Sequence, residues 1–158
     1  MLSPLEIRLQ FGAYQNDLRS DSDETRAFAN YYDLKRRRWG PIRVWNDDAI
    51  NPGAGFPPHP HANMEIITYV RDGAITHQVS LGNEGRTEAG DIQVMSAGSG
   101  ARHSEYNREE VTTRIFQIWI EPRSGGSAPS WGATPFPKGD RSGRFVTLPS
   151  GFVDTPTP

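Results

Sequence analysis

Glycine and proline punctuate this chain so often that long helices have no room to form. There are 16 glycines and 13 prolines among 158 residues, and turn signals recur at roughly 8- to 12-residue intervals, the spacing of short strands in an all-β domain. Between the turns, residues 42–45, 64–70, 74–80, 92–96, 114–121 and 144–148 are the expected strands. The run Arg114-Ile115-Phe116-Gln117-Ile118-Trp119-Ile120 is rich in β-branched and aromatic side chains, as a buried strand requires. Asp72-Gly73, between two such runs, signals a hairpin, and Gly82-Asn83 a second turn. Only residues 21–32 could hold one short helix. The simplest architecture is a sandwich or barrel.

A chain of this length suggests one domain, able to bury roughly 70% of its unfolded surface. Residues 1–122 are expected to form it, irregular N-terminal extension included. Residues 123–158 read as a Pro/Gly-rich C-terminal extension with one strand at 144–148. The formal charge of -2 gives no electrostatic case for direct nucleic-acid or anionic-membrane binding. The single basic run, Lys35-Arg36-Arg37-Arg38, reads as a solvated loop. No apolar run approaches the ~20 residues of a membrane span. Met1-Leu2-Ser3-Pro4-Leu5-Glu6 lacks the basic-then-apolar order of a signal peptide, so a cytoplasmic location is expected.

The chain has no cysteine, which leaves nitrogen and oxygen as the ligands for any metal. Three of its four histidines fall in two short motifs, His59-Pro60-His61 and His103-Ser104-Glu105. In a strand, alternate side chains share a face. Two facing strands would then present three imidazoles and a carboxylate to one ion. Two glutamates compete for the last place. Glu65 lies an even number of residues from His59 and His61, and Glu105 stands in the same relation to His103; alternation allows either. Such a donor set suits iron, manganese, nickel, copper or zinc rather than calcium or magnesium. The fourth histidine, His77, is expected in a structural or cavity-mouth role. Met64 and Met95 belong to core or pocket lining, and Trp39, Trp45, Trp119 and Trp131 to packing. Gly53, Gly55, Gly98 and Gly100 permit the tight turns that bring the ligand strands together.

The surrounding frame narrows this. Gly53, Gly55, His59, His61 and Glu65, then Gly90, Gly98, His103 and Asn107, resemble the paired motifs of the cupin superfamily. More narrowly, Pro58-His59-Pro60-His61 with Met64-Glu65-Ile66-Ile67-Thr68-Tyr69-Val70 is similar to the pirin family, as are Met95-Ser96-Ala97-Gly98 and His103-Ser104-Glu105. Phe28-Ala29-Asn30-Tyr31-Tyr32-Asp33, Pro41-Ile42-Arg43-Val44 and Trp119-Ile120-Glu121-Pro122 extend the resemblance, which spans about residues 28–148. It implies an all-β cupin double-stranded β-helix, a jelly-roll barrel with irregular N- and C-terminal extensions.

The resemblance also implies a mononuclear non-haem Fe(2+) held by His59, His61, His103 and Glu105, with Glu65 beside the metal rather than on it. The implied activity is an iron-dependent dioxygenase of quercetinase type, taking a flavonol-like aromatic substrate and O2, with Glu105 as the catalytic base. A second implication is a metal- or redox-responsive regulatory module without catalysis, for which Lys35–Arg38 would be the surface to inspect. Two features depart from the family pattern. Pirin-like proteins usually carry a second cupin-like domain, so either a homodimer replacing it or a loss of full function is expected here. Val79 stands where many relatives have aspartate.

Overall fold

Two antiparallel sheets face one another in the computed structural model, which describes residues 5–8, 40–136, 138 and 147. The strands are β1 (Leu5–Arg8), β2 (Ile42–Ile50), β3 (Gly55–His61), β4 (Glu65–Asp72), β5 (Ala74–Val79), β6 (Glu84–Glu88), β7 (Ile92–Ser96), β8 (Ala101–Tyr106), β9 (Thr113–Ile120) and β10 (Ser130–Thr134). The larger sheet has the order β1-β2-β9-β4-β7-β10 and the smaller β3-β8-β5-β6. This is the all-β jelly-roll arrangement that the resemblance implied. The candidate helix at 21–32 and the basic run Lys35–Arg38 lie outside the described residues. So does the candidate strand at 144–148, apart from the exposed Thr147.

Local signals placed five of the ten described strands, β2, β4, β5, β7 and β9, and misjudged one turn. The Asp72-Gly73 corner does not close a hairpin. The strand before it pairs with β7 and β9, and the strand after it with β6 and β8. The corner therefore carries the chain from the large sheet to the small one. Gly82-Asn83 does close a hairpin, between β5 and β6, and Gly82 N–H donates to the Val79 carbonyl at 3.0 Å. Strand β2 runs on past Trp45 through Asn46, Asp47 and Asp48 to Ile50. These residues are poor strand formers, but β1 and β9 pair with β2 on either side and hold it extended. β6 and β10 carried little signal, being polar or glycine-bearing. Each sits at a sheet edge with one partner strand.

The inner face of the large sheet is built in rungs set by the strand register. Val44, Trp119, Ile66 and Met95 form an apolar rung across β2, β9, β4 and β7. The next rung is polar: Asn46, Gln117, Thr68 and Gln93 stand side by side and buried. Phe56 and Ile75 from the small sheet join Val44, Ile50, Ile66, Val70, Met95, Ile115 and Trp119 in one core, where each fully buried large apolar side chain contributes about 1.5–3 kcal/mol. Met64 and Met95 are core residues, as expected. No helix among the described residues is long and apolar enough to cross a membrane.

Candidate metal centre

A bulge in β3 aims the first motif. Between Phe56 and His59 the register slips against β8: Phe56 lies opposite Glu105 and His59 opposite His103. Three steps on β3 thus match two on β8, and Pro57-Pro58 occupies the extra length. Proline has no N–H for the ladder, so a bulge on an edge strand is where such a pair is tolerated. The slip changes the parity of the strand, so that Phe56, His59 and His61 are all buried. It also leaves the Pro57 carbonyl 2.7 Å from His59 Nδ1. A carbonyl only accepts, so His59 donates from Nδ1 and its Nε2 carries a lone pair. Gly55 is needed for the close approach of the strands. A Cβ there would lie 2.1 Å from the Glu105 carbonyl oxygen and 2.7 Å from Tyr106 Cα.

His59, His61 and His103 converge. Their ring centroids form a triangle with sides of 4.4, 4.8 and 4.9 Å, and each residue is at most 6% exposed. His59 Nε2 and His103 Nε2 are 2.9 Å apart. Both nitrogens of His61 are buried without a hydrogen-bond partner, and its ring meets the Trp119 edge at 4.7 Å. Burial comes first among the causes that lower all three basicities. Neighbouring imidazoles add to it for His61 and His103; for His59 Arg102 does, against the Pro57 hydrogen bond. His61 falls to about 3. The rings are therefore neutral and able to ligate at ordinary pH.

Glu105 lies on the same strand as His103 and is fully buried. The polar rung of the opposite sheet serves it. Thr68 Oγ1 and Gln93 Nε2 donate to its Oε1 at 3.2 and 2.8 Å, and Gln117 Nε2 donates to its Oε2 at 2.5 Å. Trp119 Nε1 donates in turn to Gln117 Oε1 at 3.1 Å, which orients that amide. Burial pushes the Glu105 carboxyl up to about 7 while these three hydrogen bonds oppose the rise. Two positions accept on Oε1 and one on Oε2, so Oε2 keeps a lone pair for a proton or a metal.

Two groups of buried side chains each bring their ligand atoms within 4.8 Å of one another: His59, His61 and His103 form one, and His77, His103 and Glu105 the other. His103 belongs to both. The structure thus joins the three motif histidines directly and brings Glu105 in beside His103. The even-number argument for Glu65 fails because residues 62–64 separate β3 from β4 and interrupt the alternation, with Asn63 in the left-handed region at φ 50°. On β4 the buried positions are Ile66, Thr68 and Val70. Glu65 points to the other face, where it accepts a hydrogen bond from Ser96 Oγ.

Several site residues gave no motif signal. Thr68, Gln93 and Gln117 are polar side chains at the parity of their strands' apolar residues, and that mismatch is the mark by which they could be found. Asp48 is another. It is fully buried, neither carboxylate oxygen has a partner, and burial, then Glu105 and Asp47, push its carboxyl up to about 8. Trp119 and Trp131 do more than pack the core, because each lies against a histidine of the cluster.

The donor set fits a transition metal. Three neutral imidazoles suit a borderline cation, and Glu105 is grouped with one of them, His103, rather than with all three. Two nitrogens at about 2.1 Å from one ion and at right angles lie about 3 Å apart, close to the separation of the His59 and His103 Nε2 atoms. The orphaned nitrogens of His61 complete the fit.

Known proteins agree with this frame. The Pirin family model matches residues 10–120. The chain is 74% identical over 128 residues to a pirin-like protein of Caulobacter vibrioides, covering 81% of this chain and 55% of that one. It is 48% identical over 112 residues to the quercetin 2,3-dioxygenase of Escherichia coli K12, covering 70% and 48%. The crystal structure of the bacterial pirin YhhW from Escherichia coli in complex with nickel(II) aligns with a TM-score of 0.66 at 47% identity, over 70% of this chain and 48% of that one. The chain spans about half the length of the curated relatives it matches. With its two-sheet fold, its histidine cluster and a family match over most of its length, the chain belongs to the pirin family.

Proposed function

We propose that His59, His61, His103 and Glu105 hold one divalent transition metal, Fe(2+) in the working protein, and that the site oxidises a flavonol-like aromatic substrate with O2 in the manner of a quercetin 2,3-dioxygenase. The observation that carries the metal is the convergence of the buried His59, His61 and His103 rings, with His59 Nε2 and His103 Nε2 2.9 Å apart and both nitrogens of His61 lacking a hydrogen-bond partner. The name of the Escherichia coli relative and the nickel(II) complex of its pirin support the reaction class and the metal seat. When bound, a redox-active ion would supply Lewis acidity and an electron path between an aromatic olate and oxygen.

The chain's own residues supply the rest. Glu105 is the base. Without an ion, burial raises its carboxyl to about 7, whereas a bound cation would favour the ionised form, the form a general base needs. The lone pair left on Oε2 would hold the metal or a hydroxyl proton, one at a time, so the carboxylate would loosen from the ion to take the proton. Gln93, Thr68 and Gln117 hold the carboxylate plane as it changes protonation. The apolar rung of Val44, Ile66, Met95 and Trp119 keeps water from the inner face beside His61. The test is oxygen uptake by iron-loaded protein with quercetin. Turnover is expected, slowed about 10²–10⁴-fold in Glu105→Gln if the carboxylate is the base. A fully iron-loaded wild type that consumes no oxygen with a panel of flavonols overturns the activity and leaves a regulatory metal module.

A further inference from the structure

We infer that His77 is a reversible hydrogen-bond partner of His103, donating to it in the metal-free protein and accepting from it once a metal is bound. The inference rests on the metal centre proposed above, but its argument is a count of donors and acceptors. The ring nitrogens form a chain: Pro57 carbonyl to His59 Nδ1 at 2.7 Å, His59 Nε2 to His103 Nε2 at 2.9 Å, and His103 Nδ1 to His77 Nε2 at 2.7 Å. A neutral imidazole carries one N–H. His59 spends its hydrogen on the Pro57 carbonyl, so its Nε2 is a lone pair. Two lone pairs do not face each other at hydrogen-bond distance. Without an ion, His103 Nε2 must therefore carry the hydrogen. Its Nδ1 is then bare, and His77 Nε2 must donate to it.

Metal binding reverses the order. To ligate, His103 Nε2 gives up its hydrogen. The neutral ring then carries one at Nδ1, and the bond to His77 survives only if His77 Nε2 accepts. The hydrogen between the two rings passes from His77 to His103. His103 Nε2 releases one proton and His77 Nδ1 takes one up, so the pair changes tautomer with no net change in proton count.

His77 is built for this. It is 1% exposed, and its Nδ1 has no hydrogen-bond partner that would fix one tautomer. Its ring is held by stacking instead, 5.5 Å from the Trp131 ring centroid and 11° from parallel. Trp131 itself fits because position 85 is glycine. A Cβ there would come within 2.2 Å of Trp131 Cη2. A stacked ring keeps its plane while its nitrogens exchange roles. Metal-bound histidines are commonly oriented by a carboxylate or carbonyl, and either of those, accepting only, would impose one tautomer on His103 permanently.

His77 is thus a positioning residue, and its signature is spectroscopic. Nitrogen-15 spectra of the histidine rings should place the His77 hydrogen on Nε2 in metal-free protein and on Nδ1 after saturation with zinc. The same tautomer in both states overturns the switch. In chelator competition, His77→Phe keeps a ring against Trp131 but has no nitrogen, and should bind zinc about 10–100-fold more weakly. His77→Gln, whose amide can donate or accept, should recover most of that loss. Equal affinity in wild type and His77→Phe also overturns the proposal. Should His77→Phe fail to fold, the wild-type spectra decide alone. A wild type that takes up no zinc refutes the metal centre itself, whereas uptake with an unchanged tautomer refutes only the switch.

Discussion

The four-stranded sheet turns His59, His61, His77, His103 and Glu105 toward the interior, while the six-stranded sheet answers with Thr68, Gln93 and Gln117. On the first wall, His59, His103 and His77 are linked ring to ring, His59 also reaches the Pro57 carbonyl, and both nitrogens of His61 have no hydrogen-bond partner. On the second, three donors all engage one carboxylate. The first wall leaves His61 unsatisfied, and the second is satisfied only through its partner. A nitrogen that captures a cation must offer it a lone pair, which His61 can do without breaking a hydrogen bond. Groups that tune a base must be saturated, because an idle buried amide costs about 1–3 kcal/mol. On the proposed function the two sheets would divide the work into capture and tuning, and changes on each should fail in different ways.

The largest separation is expected on metal removal. If free metal stands a thousandfold above its dissociation constant, binding stabilises the fold by about 4 kcal/mol. Verified chelation should then lower the melting temperature by roughly 8–16 °C. An unchanged melting temperature would break the idea that the first wall is unsatisfied without its ion. On the second wall, Gln117→Leu removes the donor to Glu105 Oε2. That donor lowers the carboxyl pKa, so its loss should move the acidic limb of the pH–rate profile to higher pH. An unmoved limb would show that the rung does not tune the base.

A smaller effect concerns proton linkage in the metal-free protein. Asp48 is raised from 3.8 to about 8, so the folded state binds more protons than the unfolded one between those values. Its contribution to stability is greatest below about pH 4 and declines as pH rises toward 8. His61 and His77, lowered from 6.5 to about 3 and about 4, act oppositely. Their contribution rises across about pH 3–6.5. Asp48→Asn should flatten the decline toward pH 8 and leave the rise below pH 6.5 in place. A decline of the same slope in the variant would remove Asp48 from this account.

The capture wall was legible in the sequence because its residues are rare and regularly spaced. His-x-His and His-x-Glu need only strand alternation to become a site. The tuning wall was not, since Gln93, Gln117 and Thr68 acquire meaning only when register sets them on one rung. Register across β2, β9, β4 and β7 is a property of pairing between distant segments, which local patterns do not encode. The same limit explains Asp72-Gly73, whose dipeptide favours a tight turn whichever sheet the chain enters next. It also explains Glu65, whose parity depends on an unseen interruption after His61. Pro57-Pro58 is the converse case. The chemistry of proline announced a break, and the break is what lets His59 face His103.

Metal content tests the division of labour most directly. Wild type, His61→Ala and Gln117→Leu would be loaded with iron, passed through a desalting column and assayed for metal per folded chain. The account predicts about one ion in wild type, little in His61→Ala and nearly the wild-type amount in Gln117→Leu. Equal metal in wild type and His61→Ala would contradict it.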